Sequence, residues 1–228
     1  MLGPLLFLIY IHDLHMNVNS KVRLFADDTA LYLTISTSSQ SEILQRDLDN
    51  LERWSHKWDM EFNPPKCQII HITRSKNSIP TQFTLYNCIL ESVSSAKCLD
   101  VNIFSDLSWD MHIDRISKEA NNTLGFFRRN IKNHSKSLKS SAYKVLVRPQ
   151  LEYCSTVSSP FTDANISKCE VVQRRAVRCV RYDYGQTSSV TDMMQSLHWR
   201  RLDQRRIDNK LGCIKSSIIS LPPPFLTS

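Results

Sequence analysis

Glycine is almost absent, at 4 of 228 residues. That scarcity argues against folds built on many tight turns or on glycine-rich phosphate loops. No GxxxxGK[ST] or GxSxG string occurs, so a P-loop and a hydrolase nucleophile elbow are both excluded. The seven cysteines (Cys67, Cys88, Cys98, Cys154, Cys169, Cys179 and Cys213) are scattered, and none forms a CxxC pair. A paired-thiolate zinc site is therefore missing, and the odd count argues for reduced thiols in an intracellular protein, nuclear or cytoplasmic. The histidines show no ligand or triad spacing. The apolar run at residues 2–11 lacks the basic start and small-residue cleavage site of a signal peptide. It is also shorter than the roughly 20 residues needed to cross a bilayer. It is expected to be a buried element, and no membrane partner is expected.

What is present is a folding composition, 41% hydrophobic and 22% charged, with enough chain for one large core or two small ones. The net charge of +7 is unevenly spread. Residues 1–114 hold 9 Lys+Arg against 14 Asp+Glu, whereas residues 115–228 hold 20 against 8. An acidic half followed by a strongly basic half predicts two units, the second with a polyanionic partner such as nucleic acid.

The pattern of elements changes at the same place. Residues 5–14, after Gly3-Pro4, read as a short helix. Residues 21–26 alternate polar and apolar and read as a strand, residues 29–35 as a second, and Asp27-Asp28 as the step between them. That predicts a hairpin with carboxylates at its tip, though the turn pair is not one of the favoured ones. Ser39 and Glu42 have capping-box spacing before a helix whose Leu44, Leu48, Leu51 and Trp58 form a stripe, with Trp54 beside it. Pro64-Pro65 ends that element. Residues 66–73, 83–86 and 97–103 read as strands. From Asp110 onward the sequence is helical. Ile113, Ile116, Ala120, Leu124 and Phe127 repeat at helical spacing. So do Leu138, Ala142 and Val145, stopped by Pro149. Further helices are expected at about 169–182 and 202–214, and Pro222-Pro223-Pro224 makes a stiff tail.

Adjacent aspartates between apolar strands have two readings. One is a solvated turn. The other is a metal site: Mg²⁺ prefers oxygen ligands and is commonly held by one or two carboxylates plus substrate phosphates. Two such ions about 4 Å apart can stabilise the attacking and leaving oxygens of a phosphoryl transfer. In the basic half, Arg174, Arg175, Arg178 and Arg181 share one arc of a helix, with Val171 among them. Val172, Ala176, Cys179 and Val180 take the other arc. Arg128-Arg129, Arg200-Arg201 and Arg205-Arg206 add clusters. The guanidinium fork suits phosphate, so a backbone-reading nucleic-acid surface is expected, against the plain alternative of a solvated helix face.

Six ordered segments sharpen this. LFADDT (24–29) carries the FADD string of reverse transcriptases, and LGPLLFLIYIHDL (2–14) resembles the "LGPLLFLLYINDL" segment that precedes it in one class of them. WSHKW (54–58) with MEFNPPKC (60–67) resembles "WA-KW-M-FN--KC". WDMHI (109–113), VRPQLEY (147–153) and VQRRAVR (172–178) match "W--HI", "VRP-LEY" and "VQRRA-R". The order and number of these matches make the chain resemble the reverse transcriptases of non-LTR (LINE-type, jockey-like) retrotransposons, over residues 2 to about 206.

The resemblance implies roles. Asp27 would ligate catalytic Mg²⁺ with Asp28 beside it. Lys66 would approach the incoming triphosphate and protonate pyrophosphate, although on its own it reads as a surface lysine. Cys98, Leu99 and Asp100 stand where the family has a Leu-Gly-Val turn gripping the primer end. RNA template, DNA primer and deoxynucleoside triphosphates are the implied partners. The family's further catalytic aspartate and its fingers lie before the "LGPLL" segment, here at residue 2. The chain is therefore expected to be the C-terminal palm and thumb portion, inactive alone. Two residues depart from the family: Asp100 replaces glycine, and Ser158 stands where tryptophan is common. The expected fold is α+β, a partial palm (small antiparallel sheet with helices) over 1–104, a helical thumb-like unit over 105–221 and a tail at 222–228. An exposed sheet edge and unburied apolar surface are expected with it. The other reading is a non-catalytic nucleic-acid-binding remnant or domesticated protein.

Overall fold

The structure, a computed structural model, describes residues 2–73 and 81–219. The proline tail lies outside them. The chain divides into two compact units, Met1–Ala96 and Lys97–Ser228.

In the first unit, helix α1 (Gly3–Tyr10) is followed by a 3₁₀ turn, Leu14–Asn17. Strands β1 (Lys21–Phe25) and β2 (Asp28–Tyr32) then pair antiparallel. Helix α2 (Ser38–Trp58) is the hub of the unit. One of its sides packs Leu51 and Trp54 on Ile11 and Leu14, with Val22, Leu24 and Leu31 of the hairpin closing the cluster. Its other side meets Phe83, Leu85 and Leu90 through Leu44 and Leu48. Burying side chains of this size is worth about 1.5–3 kcal/mol each, which is what steadies a two-stranded ladder too small to stand alone. The capping box is Thr37 with Gln40, two residues before the Ser39/Glu42 pair that its sequence spacing suggested. The Gln40 side chain accepts from the Thr37 amide at 3.1 Å. Asp59 ends the helix in a left-handed conformation, φ 53°.

The remaining strands form short separate pairs, not one sheet. Strand β3 (Gln68–Ile70) lies parallel to β6 (Glu91–Val93), and β4 (Thr84–Leu85) pairs antiparallel with β5 (Cys88–Ile89). Strands of two to five residues cannot carry a wide ladder, and among the described residues the small antiparallel sheet expected from the sequence is replaced by four two-stranded pairs.

Helix α1 forms where expected but buries none of its residues. Leu5, Leu6, Leu8 and Ile9 are 51–65% exposed. A helix that is apolar all round has no solvent face of its own, and here Phe7 packs against the adjacent cluster while Tyr10 sets its ring edge to face on Trp58, centroids 5.3 Å apart. The buried part of this segment is the turn after the helix, Ile11 and Leu14.

In the second unit, β7 (Ser95–Cys98) and β8 (Val101–Phe104) form a hairpin ahead of the helices. Helix α3 (Asp110–Asn130) buries Ile113, Ile116, Ala120, Leu124 and Phe127, the stripe read from the sequence. It packs on α6 (Asp163–Arg181), capped by the Thr162 hydroxyl, through Val172, Ala176, Val177 and Val180. His112 is buried at the start of α3, and its Nδ1 accepts the Asn102 amide at 3.4 Å. Burial, with Arg115 and Arg206 nearby, pulls its pKa below the usual histidine value. Its place in the WDMHI segment thus has a packing explanation.

Pro149 does not stop the helix before it. Helix α4 (Lys136–Ala142) passes through a π-turn (Tyr143–Val147) into α5 (Arg148–Glu152). The wider π-turn shifts the hydrogen-bond register, so the missing proline N–H is not required. The shift also changes the inward face. Tyr143 and Val147 are buried, whereas Leu138 and Val145 are 46% and 69% exposed. Tyr143 stacks on Trp199 with ring centroids 4.2 Å apart. Helix α7 (Val190–Ser196), absent from the sequence reading, is capped by the Ser189 hydroxyl. Helix α8 (Leu202–Ile219) completes the unit.

Candidate active site

Strand register fixes where the paired aspartates stand. Phe25 pairs with Asp28, so the two-residue turn is Ala26-Asp27, one residue earlier than the Asp-Asp step expected from the sequence. Ala26 takes φ 52°. A left-handed first turn residue suits the right-handed twist of a tight hairpin, at a steric cost that glycine would not incur. Asp28 opens β2. Its face of the ladder carries Lys21, Arg23, Phe25 and Tyr32, all exposed, while Val22, Leu24 and Leu31 face the core. Asp27 and Asp28 are both exposed. Among the described residues neither carboxylate has a hydrogen-bond or ion-pair partner.

The hairpin is anchored from α2. The Asp47 carboxylate is fully buried and accepts the Asn19 amide at 2.9 Å, the Ser20 amide at 2.7 Å and the Asn19 side-chain amide at 3.3 Å. Those residues lead directly into β1. Burial alone would raise the Asp47 pKa, but the hydrogen bonds from Ser20 and Asn19 outweigh it and hold the pKa below the usual aspartate value. Asp13 is tied in the same way, its Oδ1 accepting from the Trp54 indole at 2.8 Å. Sequence reasoning missed Asp47. The one available signal was its position in α2 one residue before Leu48, on the helix stripe.

The donor set suits a hard divalent cation: two adjacent oxygen ligands, uncommitted to protein partners, on a hairpin held at its base. Among the described residues no cluster of three or more His, Cys, Asp or Glu side chains is placed to hold a metal. Lys66 closes an exposed 3₁₀ turn, Pro64–Lys66, with its amide bonded to the Asn63 carbonyl. No described hydrogen bond or ion pair joins it to either aspartate.

Cys98, Leu99 and Asp100 lie in the second unit, at the β7–β8 turn. Leu99 and Asp100 have φ 47° and 63°, the paired left-handed conformations of a type I′ turn, for which glycine is favoured. Asp100 is held in this geometry by charge. Its carboxylate lies 2.7 Å from Lys97 Nζ and 3.5 Å from Arg115 Nη1. The Lys97 contact, with Arg115 beside it, keeps its pKa low. Arg115 also donates to the Asp100 carbonyl, and the Tyr153 hydroxyl donates to the Leu99 carbonyl at 2.9 Å. The "LEY" tyrosine therefore supports the turn. Ser158, the other departure, is fully buried, its hydroxyl bonded to the Cys154 carbonyl at 3.0 Å.

The basic residues separate into two kinds. Arg174, Arg175 and Arg181 are exposed on α6, opposite buried Val172, Ala176, Cys179 and Val180, and Val171 lies among them at 39% exposed. Arg178 is half-buried and donates to the Gly185 carbonyl at 3.0 Å; Arg175 donates to Asn121 at 2.9 Å. Arg128 and Arg129 are exposed at the end of α3. The α8 clusters differ. Arg200 pairs with Asp208 and Arg201 with Asp203, both at 2.7 Å, Arg205 is bonded to Glu152, and Arg206 is buried. Internal neutralisation removes that cluster from the free basic surface that the sequence suggested.

No helix among the described residues is long and apolar enough to cross a membrane. The family model described as "Reverse transcriptase (RNA-dependent DNA polymerase)" matches residues 1–126. The chain is 24% identical over 190 residues to the RNA-directed DNA polymerase from mobile element jockey of Drosophila melanogaster, covering 78% of the chain and 20% of that protein. It is 27% identical over 191 residues to the jockey polymerase of Drosophila funebris, with the same coverage. It is 21% identical over 188 residues to the probable RNA-directed DNA polymerase from transposon X-element of Drosophila melanogaster, covering 78% of the chain and 21% of that protein. The chain thus spans about a fifth of the length of these relatives. No solved structure matches it significantly. The mixture of helices with small strand pairs is compatible with part of a reverse transcriptase domain, and the chain belongs to the reverse transcriptase family, in its LINE-type non-LTR retrotransposon branch.

Proposed function

We propose that the chain contributes the metal-carboxylate hairpin, primer-end turn and nucleic-acid-holding helices of an enzyme that copies RNA into DNA. The observation that carries this is the pair of exposed, uncommitted carboxylates, Asp27 and Asp28, on a hairpin whose base Asp47 fixes. In this reading the first unit is part of a palm and the helical unit is thumb-like. Asp27 and Asp28 hold Mg²⁺, which when bound neutralises charge on the transferring phosphoryl group. Lys66 is exposed at a turn, free to reach a triphosphate and to give a proton to pyrophosphate. The 98–100 turn meets the primer end, and Arg128, Arg129, Arg174, Arg175, Arg178 and Arg181 hold template and primer through backbone phosphates. The family match favours this over a non-catalytic binder.

Two carboxylates are a sparse donor set, so the 228-residue polypeptide alone is expected to give no template-dependent product. Primer extension on an RNA template tests the function in a chimera in which this chain replaces the matched fifth of the jockey enzyme. DNA synthesis is expected there and should fall by orders of magnitude when Asp27 or Asp28 becomes alanine, as for loss of one member of a catalytic unit. Product that persists with both aspartates replaced overturns the reading.

A further inference from the structure

Helix α3 ends in Arg128-Arg129, with Lys132 just beyond it, and α4 brings Lys139 to the same place. Helix α6 ends at Arg181 and is capped by Tyr182, whose φ of 55° turns the chain so that Tyr182 and Tyr184 stand edge to face, centroids 6.1 Å apart and planes at 79°. These six side chains line an open cleft of about 360 Å³ floored by Cys179.

The lining carries four cations and no acid. Lys139 is the telling one. It is 94% buried, yet has no carboxylate partner among the described residues; its ammonium faces the Tyr182 ring at 5.6 Å. Its stem is buried while its ammonium still reaches the open cleft, where it presents an unpaired positive charge. Asp183, the chain neighbour of Tyr182, is committed elsewhere. Asp183 Oδ1 accepts from the Gly185 amide at 3.0 Å and the Ser188 hydroxyl at 2.8 Å. An anion in the cleft would supply what Lys139 lacks, and the arginine forks would bind its oxygens.

The aromatic side narrows the class of anion. Tyr182 and Tyr184 remain 62% and 51% exposed. Rings at the rim of a cationic cleft are stacking platforms for unpaired bases, which a duplex cannot offer. The volume lies near the lower end of small-ligand clefts, about 300–1,000 Å³, which suits one nucleotide. We propose that this cleft binds one nucleotide of a single-stranded nucleic acid, with its phosphate among Arg128, Arg129, Lys132 and Lys139 and its base against the Tyr182–Tyr184 pair. The site shares Arg128 and Arg129 with the proposed template–primer surface and to that extent rests on it, but it adds a base-stacking, strand-selective subsite that requires neither Asp27 nor Asp28.

Fluorescence anisotropy with the full chain tests it, using labelled oligo(dT) as a single strand and as a duplex of equal length. Tyr184→Ala should weaken strand binding by about tenfold, within the range of base–aromatic stacking. Tyr184→Phe keeps the ring and should bind as the unsubstituted chain does. Lys139→Met and the exposed Lys132→Gln should each weaken the strand several-fold while duplex affinity changes less than twofold. Arg174→Ala, outside the cleft, should affect the duplex more than the strand. The proposal is overturned if Tyr184→Ala leaves strand binding unchanged. Parallel weakening of strand and duplex overturns it too, because that marks general charge attraction. Displacement of the strand by dTMP at equal nucleotide concentration overturns it in favour of a free mononucleotide. These affinities are read without divalent metal or triphosphate, so failure of the polymerase reading stays separate.

Discussion

Replacing Arg206 with alanine should cost about 3–5 kcal/mol of stability in the helical unit, the range for stripping a partner from a buried charged network. Arg206 is 2% exposed. Its Nη1 donates to the Ser158 carbonyl at 3.3 Å, and Nη2 donates to the Leu151 carbonyl near the end of α5 and lies 3.8 Å from Cys169 Sγ. Burial lowers its pKa, opposed by Cys169, Glu152 and Glu170. Burial also pushes the Cys169 thiol pKa up. Alanine would leave two buried carbonyls unsatisfied and open a cavity next to Leu151 and Leu202, both fully buried. Lysine keeps the charge but lacks the fork that spans two carbonyls, so Arg206→Lys should fall between alanine and the unsubstituted chain. Urea denaturation followed by circular dichroism reads the difference. A loss below about 1 kcal/mol for alanine, the size of a surface change, would show that the guanidinium is not structural.

Asp47→Ala should cost about 3 kcal/mol in the first unit and loosen the aspartate hairpin. Three donors converge on that one buried carboxylate, and bonds to charged groups are worth about 1.5–3 kcal/mol each before the vacated site relaxes. The pH dependence carries the same information. A carboxylate whose folded pKa lies below its unfolded value stabilises the fold above the unfolded pKa, near 4, and loses that contribution as pH falls through the folded value. The unsubstituted chain should therefore lose stability on acidification below about pH 4, and Asp47→Asn should flatten that part of the profile. Parallel profiles for the two proteins would remove Asp47 from the account.

Legibility in the sequence followed periodicity. The α3 stripe from Ile113 to Phe127 and the two arcs of α6 lie where their spacing put them, because one face of each packs against the other helix. The α4 face was misread because a π-turn adds a residue to the helical register, which spacing rules do not include. Helix α1 formed, but hydrophobicity cannot tell a buried helix from one left uncovered. Charge counting had the same blind spot. Arg206 stands one turn after Leu202 on the inward side of α8, yet it was grouped with surface arginines. The aspartate hairpin was legible from β-forming runs around Asp27-Asp28, but its register was set by the core contacts of Val22, Leu24 and Leu31, which moved the turn to Ala26-Asp27. Asp47 and Lys139 were missed for one reason: each is a polar residue on a helix whose importance lies in long-range burial.

The account stands most directly on divalent-metal binding at the hairpin. Paramagnetic broadening by Mn²⁺ of backbone amide signals from residues 25–30 of the full chain, in the presence of a deoxynucleoside triphosphate, should be strong, and should disappear when Asp27 and Asp28 are both replaced by asparagine while the fold is retained. Broadening that is centred elsewhere, or that survives the double replacement, would contradict the assignment of Asp27 and Asp28 as the metal carboxylates.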